Sequence, residues 1–158
     1  MTEFKRILVP LDGSPPAERA LPLAVALAQR FESQIILLRA LDIPTSPLLS
    51  AFYPEATKKL MLELCEYARQ EVESYLKAQQ DELGQQGFDV QILLPASPPA
   101  ESIIDAAIAE DVDLIVMSTH GRGGLARWAF GSVADKVARH SPCPVLFARQ
   151  GLETANES

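Results

Sequence analysis

The sequence predicts a single doubly wound α/β domain built on a five-stranded parallel sheet, and three observations carry that prediction. Five short apolar runs recur along the chain, and the clearest lack the alternation of a strand with one wet face, as strands covered on both sides do. Helical patterns separate them in the order βαβαβαβαβ, whose right-handed crossovers make the sheet parallel. The length of 158 residues, 47% of them apolar and 22% charged, suits one globular core and is short for two domains.

Phe4–Leu11 (FKRILVPL) is the first strand, ending at the turn cluster Pro10-Leu11-Asp12-Gly13-Ser14, with Ser14 placed to cap a helix and prolines in its first turn. The helix Pro15–Phe31 carries Ala20, Ala24, Leu27 and Phe31 on one face, and Pro22 inside it predicts a kink. Gln34–Leu41 (QIILLRAL) is the second strand. Asp42–Pro54 holds three prolines and no period, which reads as a long loop; its Leu48, Leu49, Phe52 and Tyr53 ask for packing, either over the core or as a lid.

From Glu55 to Gln86 the residues Leu60, Leu64, Ala68, Val72, Tyr75, Leu76 and Leu83 recur at three- and four-residue steps. They predict one long amphipathic helix, lying on the sheet or paired in a coiled coil, and stopped near Gly84 or Gly87. Phe88–Leu94 is the third strand, Pro98–Ala109 a short helix, Val112–Met117 the fourth strand, Gly131–His140 the last helix and Pro144–Ala148 the fifth strand. Residues 1–150 form the domain. The polar residues 151–158 have nothing to bury and are expected to be a disordered tail.

The formal charge of −7 is spread over both halves with no Lys/Arg run, so the attraction that drives non-specific binding to nucleic acid or an anionic membrane is missing. No apolar stretch approaches the ~20 residues that span a bilayer. Met1–Leu11 interleaves acidic, basic and apolar residues unlike a signal peptide, so a cytoplasmic location is expected. Cys65 and Cys143 read as reduced, small hydrophobes, and with His120 and His140 they are too few for structural zinc.

In a doubly wound sheet, ligands bind outside the carboxyl ends of the strands. Two such ends attract notice, Pro10–Ser14 after the first strand and Met117–Gly121 after the fourth. The stretch Ser118–Ser132 (STHGRGGLARWAFGS) carries Gly121, Gly123 and Gly124, then Gly131-Ser132 at a helix start. Glycines let backbone N–H groups approach an anion closely, and the helix from Ser132 adds unpaired donors, the positive dipole end and a hydroxyl. His120, Arg122 and Arg127 stand nearby to offset phosphate charge, although Arg127 and Trp128 equally fit an exposed helix face.

The loop lacks G-x-x-x-x-G-K-[ST], and the first strand lacks G-x-G-x-x-G, which sets aside P-loop nucleotidases and dinucleotide-binding dehydrogenases. Over residues 4–149 the chain resembles the universal stress proteins, through ILVPLDGS, DLIVMSTHGRGGL and GSVADKVARHSPCPVLFAR. The family's ATP-binding members carry G-x2-G-x9-G-[ST]. Here that pattern falls on Ser118, Gly121, Gly131 and Ser132, with serine in place of the first glycine. If position 118 needs a positive φ, serine is a defect; in β geometry it is tolerated and adds a donor.

The resemblance implies a flavodoxin-like (Rossmann-like) sheet in the order 3-2-1-4-5. It also implies an ATP site with adenine and ribose near Pro10, Leu11, Asp12, Ala40 and Met117, and phosphates on Ser118, Thr119, His120, Gly121, Arg122, Gly123 and Gly124 and on Ser132, Val133 and Ala134 beyond Gly131. Asp12 suits ribose hydroxyls or a phosphate-bound magnesium ion; capping the first helix alongside Ser14 is its structural role. The family pattern further implies a homodimer through antiparallel pairing of the last strands, at Val145, Leu146 and Phe147.

The function so implied is that of a dimeric stress-response sensor or regulator that binds ATP and hydrolyses it slowly or not at all, since no lysine or evident general base is placed for fast phosphoryl transfer. Two other readings stand beside it. One is a nucleotide-free dimeric interaction protein using the Asp42–Pro54 loop, and the other a hydrolase or transferase using His120.

Overall fold

The computed structural model describes residues 3–41, 51–119 and 130–149. Their elements are β1 (Arg6–Pro10), α1 (Pro15–Glu18), α2 (Ala20–Phe31), β2 (Gln34–Leu38), α3 (Glu55–Gln85), β3 (Val90–Leu93), α4 (Pro99–Ala109), β4 (Leu114–Ser118), α5 (Ser132–His140) and β5 (Val145–Ala148). The strands form one parallel sheet in the order β3-β2-β1-β4-β5, as expected. Residues 42–50, with Leu48 and Leu49, and the tail 151–158 lie outside the described residues.

The apolar runs become strands because both faces are covered. Ile7, Leu8, Val9, Ile35, Ile36, Leu37, Ile115 and Val116 are wholly buried, each side chain contributing roughly 1.5–3 kcal/mol of hydrophobic stabilisation. Alternate residues serve opposite layers. Ile7, Val9, Ile35, Leu37 and Val116 meet α2 and α3, whereas Leu8, Ile36, Leu38, Ile115 and Met117 meet α4 and α5. Ala20, Ala24 and Ala28 put a stripe of small side chains against the sheet.

The expected helix 15–31 is interrupted at Arg19, whose φ of −63° and ψ of −19° stay in the right-handed helical region. α1 ends at Glu18, α2 starts at Ala20, and Pro22 sits in the first turn of α2, where its missing N–H costs nothing. A proline ring clashes with the carbonyl four residues back, here that of Glu18, so the break falls at Arg19. Phe31 is 40% exposed and stacks edge-on against Phe4 with ring centroids 5.3 Å apart; Ala28 takes the place in the core expected for it.

α3 is the single long helix expected, and it runs through Gly84 and stops before Gly87, whose φ of +93° no other residue type adopts as readily. It lies on the β2 and β3 side of the sheet through Leu76 and Leu83, with Val72 buried and Tyr75 half-buried. The first half of the expected stripe departs from this. Nothing N-terminal to Val72 on this helix is buried, and Leu60, Leu64 and Ala68 are exposed. Phe52 and Tyr53, expected to pack, are exposed as well. No helix among the described residues is long and apolar enough to cross a membrane.

Candidate functional site

The sequence-order reversal places β1 and β4 side by side, with Ile7 opposite Leu114 and Leu8 opposite Ile115, while the chain goes on from β1 to β2 and β3 on the other flank. This is the topological switch point at which doubly wound sheets open a crevice at their carboxyl edge. Asp12 follows β1, Ser118 ends β4 and Ala40 follows β2. The fold therefore brings to one edge three groups of candidate residues far apart in sequence.

On the β1 side, Pro10 and Leu11 are buried, and the Leu11 N–H donates to the Leu38 carbonyl at 2.7 Å, extending the pairing past the strand. Asp12 is half-buried. Its Oδ1 accepts the Ser14 N–H at 2.9 Å and the Ser14 hydroxyl, an Asx turn closed across Gly13, whose φ is +79°. Ser14 caps α1, its Oγ accepting the Ala17 N–H at 3.4 Å. Asp12 thus shapes the turn through the cap residue.

One constellation here is absent from the sequence reading. A Cβ built on Gly13 would lie 2.7 Å from Arg39 Nη1 and 2.9 Å from both Cζ and Nη2, so the guanidinium is presented face-on to that position. The same guanidinium carbon is 5.1 Å from the centre of the Tyr75 ring. The Tyr75 hydroxyl in turn donates to Glu18 Oε1 at 2.7 Å. Burial, and after it the Glu18 carboxylate, push the Tyr75 phenol well above its ordinary pKa, so it stays a donor throughout the physiological range. The one signal in the sequence is an arginine interrupting the apolar run QIILLRAL.

Arg39 and Leu41 donate their N–H groups to the carbonyls of Leu93 and Pro95, at 3.1 and 2.8 Å, with half-buried Ala40 between them. On the β4 side Met117 is buried against the α4 and α5 layer. Ser118 is the last residue of β4, paired with Ala148 of β5, and is not among the residues with positive φ. Position 118 is therefore extended backbone, which serine adopts without strain.

The ends of the glycine-bearing stretch are clasped. The Gly131 N–H donates to the Thr119 carbonyl at 2.9 Å, and the Gly131 carbonyl accepts the Asp135 N–H at 2.9 Å, opening α5. Gly131 has φ −60° and ψ 158°, ordinary for any residue, and a Cβ there would stand 3.3 Å from the Thr119 carbonyl oxygen. Glycine brings no capping side chain, so the first-turn N–H groups of Ser132, half-buried Val133 and buried Ala134 are unsatisfied by the cap. His120, Gly121, Arg122, Gly123 and Gly124, with Arg127 and Trp128, lie outside the described residues.

The other candidates read simply. His140, in the last turn of α5, is exposed with Nδ1 3.0 Å from the Lys136 carbonyl. Both cysteines are free, and burial pushes the Cys143 thiol up, away from the thiolate that redox chemistry needs. Among the described residues no three His, Cys, Asp or Glu side chains gather to hold a metal ion. At the edge of the sheet, Val145 and Phe147 are half-buried and Leu146 is exposed, while the ring of Phe130, one residue before the Gly131 clasp, lies 4.9 Å from that of Phe147.

Comparison with known proteins matches residues 3–149 to the universal stress protein family. A universal stress protein of Thermus aquaticus, from the 3′ region of a sulfhydrylase gene, is 36% identical over 146 residues, covering 92% of this chain and 99% of that protein. Among solved structures, the universal stress protein UspA of Lactobacillus plantarum superposes with a TM-score of 0.80 at 25% identity, covering 94% of this chain and all of that one. A universal stress protein solved in complex with cAMP shares the fold, with a TM-score of 0.59 at 21% identity over 92% of this chain and 97% of that one.

Proposed function

The chain belongs to the universal stress protein family, and from that premise we propose that it binds an adenine nucleotide, ATP before others, across the carboxyl ends of β1 and β4. It acts as a dimeric stress-response sensor or regulator with slow hydrolysis or none. The observation that carries this reading is the clasp between Thr119 and Gly131, which holds together the two ends of the phosphate-loop pattern at the switch point. The extended backbone of Ser118 removes the objection that serine replaces a glycine there. The family includes a member solved with a bound cyclic nucleotide, which agrees with this class of ligand.

In this arrangement the adenine and ribose lie over Pro10, Leu11, Asp12, Ala40 and Met117, with the Asp12 carboxylate accepting from ribose hydroxyls. The phosphates are held by the stretch Ser118–Gly124 and by the Ser132–Ala134 N–H groups at the positive end of α5. The chain's own donors to magnesium are sparse, since among the described residues no three His, Cys, Asp or Glu side chains gather to hold a metal ion. A magnesium ion here is one that arrives with the phosphates, supplying charge neutralisation, and Asp12 is the side chain that would meet it.

Dimerisation has its own support in β5, the edge strand of the sheet among the described residues, which carries the exposed Leu146 and is the kind of strand that proteins cover. The second reading, a nucleotide-free interaction protein, is favoured by the exposed Leu60, Leu62, Leu64 and Tyr67 of α3. Titration calorimetry of ATP into the purified protein separates the two. Saturable binding below millimolar ATP is expected, and no uptake at millimolar ATP would sink the sensor reading. An enzyme using His120 would instead show turnover that His120→Ala abolishes while binding survives.

A further inference from the structure

We propose that Arg39, Tyr75 and Glu18 form a brace that sets the Asp12–Gly13–Ser14 turn for the nucleotide, with Arg39 as a positioning residue acting through Asp12. The proposal rests on the nucleotide reading for what the turn is set to hold. Its geometry stands on the chain's own side chains.

The brace takes hold of one short segment at both ends. At the near end, the Arg39 guanidinium lies face-on to the position a Gly13 Cβ would occupy, and the Tyr75 ring stands by the same guanidinium. At the far end the Tyr75 hydroxyl holds Glu18, the last residue of α1, at 2.7 Å. Between these ends lie the Asx turn of Asp12 on Ser14 and the four residues of α1. A helix of that length is too short to hold its own shape, since nucleation fixes several residues for a single hydrogen bond.

The three supports come from three separate parts of the chain, the residue after β2, α3 and α1, and each part of the contact answers to a chemical requirement. A flat, delocalised cation can pack its face on backbone and on an aromatic ring together, which an ammonium group cannot do as well. Glycine at 13 serves twice, by accepting a φ of +79° and by leaving room for the guanidinium. The Asp12 carboxylate is thereby held where it leaves the sheet edge rather than swinging with a loose turn. Arg39 itself needs no contact with the nucleotide for this.

Two measurements test the brace. In ligand-free protein, the Ser14 amide, which donates to Asp12, should exchange its hydrogen about tenfold faster in Arg39→Ala and somewhat faster in Tyr75→Phe, with the amides of Ile35 and Ile36 unchanged. In a double-mutant cycle on ATP affinity, Arg39→Ala should weaken binding about tenfold in the native background and about twofold or less when Asp12→Ala is already present. Equal losses in both backgrounds would show that Arg39 acts apart from Asp12 and overturn the proposal. So would an unchanged Ser14 exchange rate in both variants. A native chain that takes up no ATP overturns the nucleotide reading instead, and the exchange rates then decide the brace by themselves.

Discussion

The two strand ends that frame the candidate site are held by opposite means. After β1 the turn depends on side chains: Asp12 on Ser14, Arg39 against Gly13, Tyr75 on Glu18. After β4 the contact is between backbones, Gly131 N–H to Thr119 carbonyl, beside a residue whose strand pairing is with Ala148. A turn built from side chains narrows the choice of residue at each of its positions. A clasp built from backbone accepts any side chain that does not force the two chains apart, and beside it Ser118 stands in extended strand backbone, which serine adopts without strain.

The largest expected effect tests whether the clasp is also a binding element. Gly131→Val keeps an allowed backbone but sets a branched side chain 3.3 Å from the Thr119 oxygen and beside the first-turn donors of α5. ATP affinity should fall by about a hundredfold or more with an unchanged circular dichroism spectrum. Equal affinity in calorimetry would show that phosphates do not pass this point. Next comes Gly13→Val on the other strand end, where a β-branched residue must adopt φ +79° and displace the Arg39 guanidinium. Urea denaturation should show a loss of roughly 2–3 kcal/mol, and native stability would mean that the turn relaxes freely.

Smaller effects sharpen the contrast. Ser14→Ala removes both the cap on α1 and the hydroxyl that Asp12 accepts, and should cost about 1 kcal/mol in the same denaturation experiment. A negligible change would place the hold on the turn in Asp12 and the Ser14 N–H alone. Smallest of all is Ser118→Gly, which restores the family's glycine within an extended strand residue. Stability should drop by about 0.5–1 kcal/mol from the added backbone freedom, with ATP affinity unchanged within about twofold. Tighter binding in this variant would mean that the serine side chain, rather than its backbone, obstructs the ligand.

The sheet was legible because burial on both faces writes itself as unbroken apolar runs such as QIILL and LIVM, and because Pro22, Gly13 and Gly87 punctuate the chain locally. The switch-point residues were legible for the same reason, since each follows a strand end. Arg39 was not. Its partners Gly13 and Tyr75 are distant in sequence, and the pattern of an apolar strand gives no sign of which cation a neighbouring helix will shelter.

The early part of α3 was legible as a helix but not in what its apolar side meets. The periodicity of Leu60, Leu64 and Ala68 is that of a buried face, and periodicity reports only that apolar residues share a side. Whether anything lies opposite depends on where the sheet stops, and the buried positions begin at Val72.

The break at Arg19 has a mechanical consequence. A continuous helix from Pro15 to Phe31 would transmit any shift of Asp12 as a rigid lever into the alanine stripe at Ala20, Ala24 and Ala28, prising it from the sheet. With the ladder interrupted at Arg19, three residues before Pro22, α1 is a separate link between the ligand edge and the packed layer. The turn after β1 and the alanine layer are thus held by separate sets of contacts, the first through the Ser14 cap on α1 and the second through the alanine stripe on the sheet.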